Sequence, residues 1–346
     1  MKKAFAFLLA AVMLVMLMCG CGNKNVKPAE SSSALPSTSN DDAVEEELFR
    51  CDDGENEYYC VESDSDYELF RKSKATGEAV SIRKERYISC LTLADGWLYY
   101  AANHHDLCRV GLNGDGYEKL FDYSEMRQYE ADQYFDGDDI RILFVIDGVV
   151  FAWEQSFFLF RFDPQTQETL EITYDARTIN ACGDHVYYCG KMMFDICMIG
   201  PRDDAPTVIL ESEKIGDDER DWNSLYKNFI FVGDTMYYYK RSPDGLYSYH
   251  DGESVLIDDD SDINEFTLFE YDNKLYYAVK KGYSSISPLK EHGAKLMCYD
   301  PADGTVSEAA YCEDFVSGGK IVDGVYYYYD TSDNKREVKI YSLFQQ

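Results

Sequence analysis

Histidine, cysteine and carboxylate are the side chains that most often do chemistry, and this chain is poor in the first and rich in the last. It has 5 His, 11 Cys and 64 Asp plus Glu in 346 residues. His104, His105 and Asp106 are adjacent and have metal-donor types, but neighbours on a strand or turn point apart and make a poor ligand set. His185 opens a strand at a tight turn and reads as structural. Asp258-Asp259-Asp260-Ser261-Asp262 and Asp136-Gly137-Asp138-Asp139 offer oxygen ligands of the kind calcium takes. Neither has EF-hand spacing, and both read as solvated turns. The patterns H-E-x-x-H, G-x-S-x-G, the P-loop and G-x-G-x-x-G are absent, as are the sialidase Asp-box and the WD40 and kelch signatures. No catalytic residue, metal or cofactor is therefore expected. Glycoside cleavage needs only two well-placed carboxylates, so a glycan-active hydrolase or lyase with carboxylates in a central channel stays open as an alternative.

Cysteine chemistry is clearest at the N-terminus. Lys2 and Lys3 precede fifteen uncharged, largely apolar residues, Ala4 to Met18, and then Cys19-Gly20-Cys21-Gly22. The run is short of the roughly 20 residues a spanning helix needs and suits a secretory signal. Its end resembles a bacterial lipobox, in which a small residue precedes the acylated cysteine. Gly20 stands before Cys21, whereas Met18 stands before Cys19, so Cys21 is the expected lipidated residue. Residues 1–20 then form the signal and 21–47 a Ser-, Pro- and acid-rich tether with too little apolar surface to fold. Residues 48–346 form the folded domain, extracytoplasmic and held at the bacterial membrane by its lipid alone. Nine further cysteines lie mostly inside strand-like runs and read as small buried hydrophobes. Cys182 and Cys189, flanking one hairpin, are the candidate for a bridge.

The elements that must position any site repeat along the chain. A turn pair leads into a short strand with aromatic residues at Tyr58, Tyr99, Phe151, Tyr187, Tyr237, Tyr276 and Tyr327, in steps of 41, 52, 36, 50, 39 and 51 residues. A strand-and-turn repeat of this length marks a β-propeller. Seven copies predict seven four-stranded blades in an all-β fold, with six or eight open as alternatives. Asp-Gly turns divide the strands. The second copy reads as Ile88–Leu93, Trp97–Ala101, Leu107–Leu112 and Tyr117–Phe121. The third reads as Ile142–Ile146, Val149–Trp153, Phe157–Phe162 and Thr169–Thr173, and the fifth as Phe229–Val232, Met236–Lys240, Leu246–Tyr249 and Ser254–Ile257. The last copy is expected to end at its third strand, Val338–Leu343. Glu47–Cys51 either completes that copy or begins the first.

Asp95-Gly96-Trp97-Leu98-Tyr99-Tyr100, Leu107-Cys108-Arg109-Val110, Asn113-Gly114-Asp115-Gly116 and Lys119-Leu120 resemble a family of bacterial propeller domains similar to the propeller of low-density-lipoprotein-receptor-related protein 1. The resemblance implies the fold and carries over no catalytic residue.

Strand direction alternates, so second-to-third-strand loops share one face with the connections between copies. The long insertions Asp122–Ile140, Glu211–Lys227 and Lys280–Gly293 all fall on that face. Long loops on a rigid scaffold carry function. The expected binding residues there are Tyr123, Arg127, Tyr129, Tyr134, Trp153, Arg220, Trp222, Tyr226 and Tyr283, with His104, His105 and His292 nearby. Aromatic residues and Arg are the usual anchors. The net charge is −31 in the full chain; removing Lys2 and Lys3 with residues 1–20 makes it −33. Such a field opposes nucleic acid and allows an envelope protein or a neutral glycan as partner. The leading expectation is a binding module; a structural subunit of an envelope complex is a further alternative.

Overall fold

In the computed structural model the described residues are 47–63, 66–123, 140–154, 157–190, 195–212, 214–215, 219–220, 226–241, 243–260, 262–280, 293–322, 324–330 and 334–340. They contain no α-helix, and so none long and apolar enough to cross a membrane. They form antiparallel sheets whose strands follow chain order. The first sheet is Glu47–Asp52, Asn56–Glu62, Tyr67–Ser73 and Ala79–Glu85. The second is Ile88–Ala94, Trp97–Ala102, Asp106–Gly111 and Glu118–Asp122, and the third Ile140–Ile146, Val149–Glu154, Leu159–Asp163 and Glu168–Thr173. The fourth is Ile179–Cys182, His185–Gly190, Asp195–Ile199 and Thr207–Glu211. The fifth is Tyr226–Val232, Thr235–Lys240, Gly245–His250 and Glu253–Asp258. The sixth is Ile263–Tyr271, Lys274–Lys280, Ala294–Asp300 and Thr305–Cys312, and the seventh has three strands, Phe315–Val322, Val325–Asp330 and Lys335–Lys339. A two-stranded hairpin, Lys214–Ile215 with Glu219–Arg220, stands outside these sheets.

The turns form where the sequence demands them. Asp95-Gly96, Asp147-Gly148 and Asp251-Gly252 have positive φ at both residues, 50° and 78°, 50° and 75°, and 51° and 84°. A type I′ hairpin turn requires this backbone. A second regularity lies in the third strands. The ladder to the fourth strand slips just after Leu69, Leu107, Leu159, Ile196, Leu246 and Leu296. Every one of these six aliphatic side chains is fully buried. One bulge beside one core aliphatic, repeated in six sheets, is the structural counterpart of the sequence repeat.

The described residues divide into two compact units, 47–174 and 175–340. In the first, the opening strands of consecutive sheets pack together. Ser89 Oγ donates to the Ile140 carbonyl at 2.6 Å and Thr92 Oγ1 to that of Leu143 at 2.9 Å. The core lies between sheets, one cluster joining the first and second and another the second and third. The other unit repeats the arrangement, with Asn180 Nδ2 donating to the Phe229 carbonyl at 2.9 Å and apolar clusters between successive sheets.

Several expectations change in detail. Glu47–Asp52 pairs with Asn56–Glu62 and begins the first sheet. The last strand is Lys335–Lys339, because it pairs along Val325–Tyr329. Phe157 is a turn residue with φ 70°, held by its N–H bond to the Glu154 carbonyl at 2.9 Å. The nine described cysteines are thiols. Cys182 and Cys189 do not bridge: Cys182 pairs with His185 at the turn, whereas Cys189 lies opposite Ile196, beyond Tyr188.

Candidate functional site

Topology decides which connections share an edge. In each sheet the first-to-second and third-to-fourth turns lie at one edge. The second-to-third turn lies at the other, where the fourth strand also ends. On the first edge no connection exceeds the seven residues 200–206. The second edge carries 123–139 in one unit and 212–225 and 281–293 in the other. Arg127, Tyr129, Tyr134, Trp222, Tyr283 and His292 lie outside the described residues, and Arg220 falls in the short strand Glu219–Arg220.

Three expected contact residues prove to be buried. Tyr123, Trp153 and Tyr226 are only 1%, 2% and 3% exposed. Tyr123 N–H donates to the His105 carbonyl at 3.0 Å and its hydroxyl to the His104 carbonyl. Its ring packs against His105 and Phe160, with centroids 5.7 and 5.9 Å away. Trp153 lies in a strand buried along its whole length and tilts against Phe157 at 6.2 Å. Tyr226 extends the first strand of the fifth sheet opposite Lys240 and meets the Tyr238 ring edge-on at 5.5 Å; its hydroxyl donates to the Glu211 carbonyl at 3.3 Å. Tyr123 and Tyr226 thus fasten the roots of two insertions. The available signal was position: each sits at a strand end, where an aromatic side chain packs.

Within residues 47–174 this edge carries a row of rings. Tyr67 meets Tyr87 edge-on at 5.1 Å, Tyr87 stacks on His104 at 4.2 Å, and His104 lies 6.4 Å from His105. Beyond Tyr123 and Phe160, Phe158 stacks on Tyr174 at 4.6 Å. His104 and Tyr174 are exposed, and Tyr67, Tyr87 and His105 half-buried. The turn that presents the histidines is Asn103-His104, with φ 52° and 69°. His104 occupies a place where other hairpins have glycine, a strained conformation for so large a side chain. Asn103 Oδ1 and His105 Nδ1 are buried and lack a hydrogen-bond partner among the described residues. Below them Lys119 Nζ lies 2.6 Å from Asp106 and 3.0 Å from Asp122. Hydrogen bonds to these two carboxylates push the ammonium above its ordinary range. Among the described residues no group of three or more His, Cys, Asp or Glu is placed to hold a metal ion. The arrangement offers aromatic faces with polar atoms between them, which is the chemistry of recognition.

No family model matches the chain, and no curated protein matches it. Among solved structures it is similar to an oligogalacturonate lyase from Vibrio parahaemolyticus, at 10% identity over 82% of this chain and 86% of that one, with a TM-score of 0.50. A manganese complex of an oligogalacturonate lyase is 12% identical over 82% and 85% of the two chains, TM-score 0.47. PorZ, a surface component of the type-IX secretion system of Porphyromonas gingivalis, is 9% identical over 87% of this chain and 39% of its own, TM-score 0.47. At such identities the likeness is one of fold. The chain is an all-β protein of the β-propeller class.

Proposed function

We propose that the protein is a lipid-anchored extracytoplasmic binding module that recognises an envelope protein or glycan through the insertion edge of its sheets. One observation carries this reading: in each unit the long connections leave and enter at the same kind of edge, while the opposite edge has only short ones. Rigid sheets that concentrate long loops at one edge suit recognition better than a buried reaction. The anchor rests on Cys21 behind the apolar run Ala4 to Met18, with 21–47 as spacer. Contact with the membrane is through the lipid only. The acidic charge selects against nucleic acid. No cofactor enters this reading.

A crosslinking pull-down from native envelopes tests it. The full chain is compared with a variant shortened within 124–139 and 221–225. Partners captured by the full chain and lost from the variant support the reading, and name the partner class. Identical partners from both variants remove recognition from this edge.

A further inference from the structure

A cleft of about 530 Å³ opens at the short-turn edge of the second sheet, the edge opposite the insertions. Its walls are the turn residue Gly96, the indole of Trp97 and the connection from Gly111 to Gly116, with Asn113 and Asp115 in it. Glycine lets this wall pack closely on itself. A Cβ on Gly111 would stand 2.3 Å from Asp115 Oδ1, and one on Gly116, whose φ is +63°, would stand 3.0 Å from the Trp97 ring. The Gly111 N–H donates to the Asp115 carbonyl at 2.8 Å, which folds the connection back over the strand end.

The polar groups of this wall are held but not consumed. Asn113 Oδ1 accepts from the Arg71 guanidinium of the first sheet, which orients the carboxamide. Its Nδ2 donor, the Asp115 carboxylate and the Trp97 indole N–H make no hydrogen bond or ion pair among the described residues. The Arg109 guanidinium lies 4.5 Å over the Trp97 ring and fixes it. Arg109 is itself matched by Glu118 at 2.6 Å.

We propose that this cleft binds a neutral saccharide. A pyranose has an apolar C–H face and a rim of hydroxyls, each both donor and acceptor. Trp97 supplies the apolar wall, Asn113 Nδ2 and Trp97 Nε1 donate, and the Asp115 carboxylate accepts from neighbouring hydroxyls. The volume falls within the range of small-ligand clefts, about 300–1,000 Å³. The site shares no residue with the insertion edge, so either can fail without the other.

The test titrates detergent-solubilised full-length protein with cellotriose, maltotriose and chitotriose, followed by tryptophan fluorescence and calorimetry. At least one sugar is expected to bind saturably. Asp115→Asn is expected to weaken it about tenfold, one hydrogen-bonded charge being of that order. Asn113→Ala is expected to weaken it about threefold or more. Trp97→Phe tests the aromatic wall, with a thermal melt to show that the sheet is intact. Saturable binding lost in the variants upholds the proposal. Failure of all three sugars to bind the wild type overturns it, as does undiminished binding by both Asp115→Asn and Asn113→Ala.

Discussion

The hydroxyl of Tyr123 donates to the backbone carbonyl of His104, so the residue at which the longest insertion departs is pinned to the strained histidine turn beside it. The Tyr123 N–H makes a second bond to the next carbonyl, that of His105. Loop root and turn therefore move as one body. Tyr123→Phe removes one of the two bonds and leaves the ring packed. A loss of about 1 kcal/mol is expected, read as a lower urea midpoint at unchanged m-value. Tyr123→Ala also removes the ring between His105 and Phe160 and is expected to cost about 3–5 kcal/mol. Equal stability of the wild type and Tyr123→Phe would show that the bond contributes nothing to holding the turn.

The thiols give a sharper reading of packing. Eight of the nine described cysteines are buried and only Cys182 is partly exposed. Burial pushes the Cys60, Cys108 and Cys312 thiols up to about 12, so almost no thiolate is present at pH 8. In a chain that begins after Cys21, and so lacks Cys19 and Cys21, a disulfide reagent at that pH is expected to label one thiol quickly. The other eight should react only on unfolding, and Cys182→Ser should abolish the fast phase. Two or more fast equivalents would contradict the burial of the strand cysteines.

What was legible in the sequence was what local chemistry dictates. Asp95-Gly96 and Asp147-Gly148 announce their turns because the type I′ backbone needs positive φ at both positions, and the flanking strands then follow within one to three residues. Asp272-Asn273 makes the same turn with φ 53° and 56°, asparagine tolerating the left-handed region. The side-chain environments at the loop roots were not legible. Burial of Tyr226 depends on Glu211, fifteen residues back, and on Tyr238 in the next strand. The cleft at Trp97 joins two turns of the second sheet and an arginine of the first, Arg71. No local pattern encodes that meeting, although the motif residues Trp97, Asn113 and Asp115 were already conspicuous.

Acid should reveal the turn before the second strand. Burial alone would raise the Asp53 carboxyl, but hydrogen bonds outweigh it and hold it below its ordinary value. They come from Asn56 N–H at 2.7 Å, the Tyr58 hydroxyl at 2.8 Å, Asn56 Nδ2 at 3.3 Å and Glu55 N–H at 2.9 Å. A depressed folded pKa means that folding favours the carboxylate. Its stabilisation is fully present above the ordinary value, about 4, and is lost as pH falls through the lowered one. Asp53→Asn is therefore expected to be less stable at pH 7 by about 1 kcal/mol, with the gap closing below about pH 4. Denaturant midpoints of both proteins from pH 7 to 3 measure it. A gap independent of pH would assign the effect to geometry and not to charge.

The anchor can be tested at a single atom. Cys19 and Cys21 stand two residues apart at the end of the same apolar run, and only Cys21 follows a small residue. In the proposed reading the Cys21 sulfur is acylated, a peptidase then hydrolyses the bond before it to remove residues 1–20, and the lipid stands at the start of the 21–47 spacer. In a bacterial host Cys21→Ser is expected to keep those residues and to lose the added acyl mass, seen by mass spectrometry of the intact protein. Cys19→Ser should be processed and acylated like the wild type. The wild type should partition into detergent and remain with membranes after a high-salt wash, since acyl burial is worth about 0.8 kcal/mol per methylene and screens no charge. Loss of acylation in Cys19→Ser with retention in Cys21→Ser would move the lipid two residues back. Acylation in neither wild type nor variants would remove the anchor and leave the apolar run as an ordinary secretion signal.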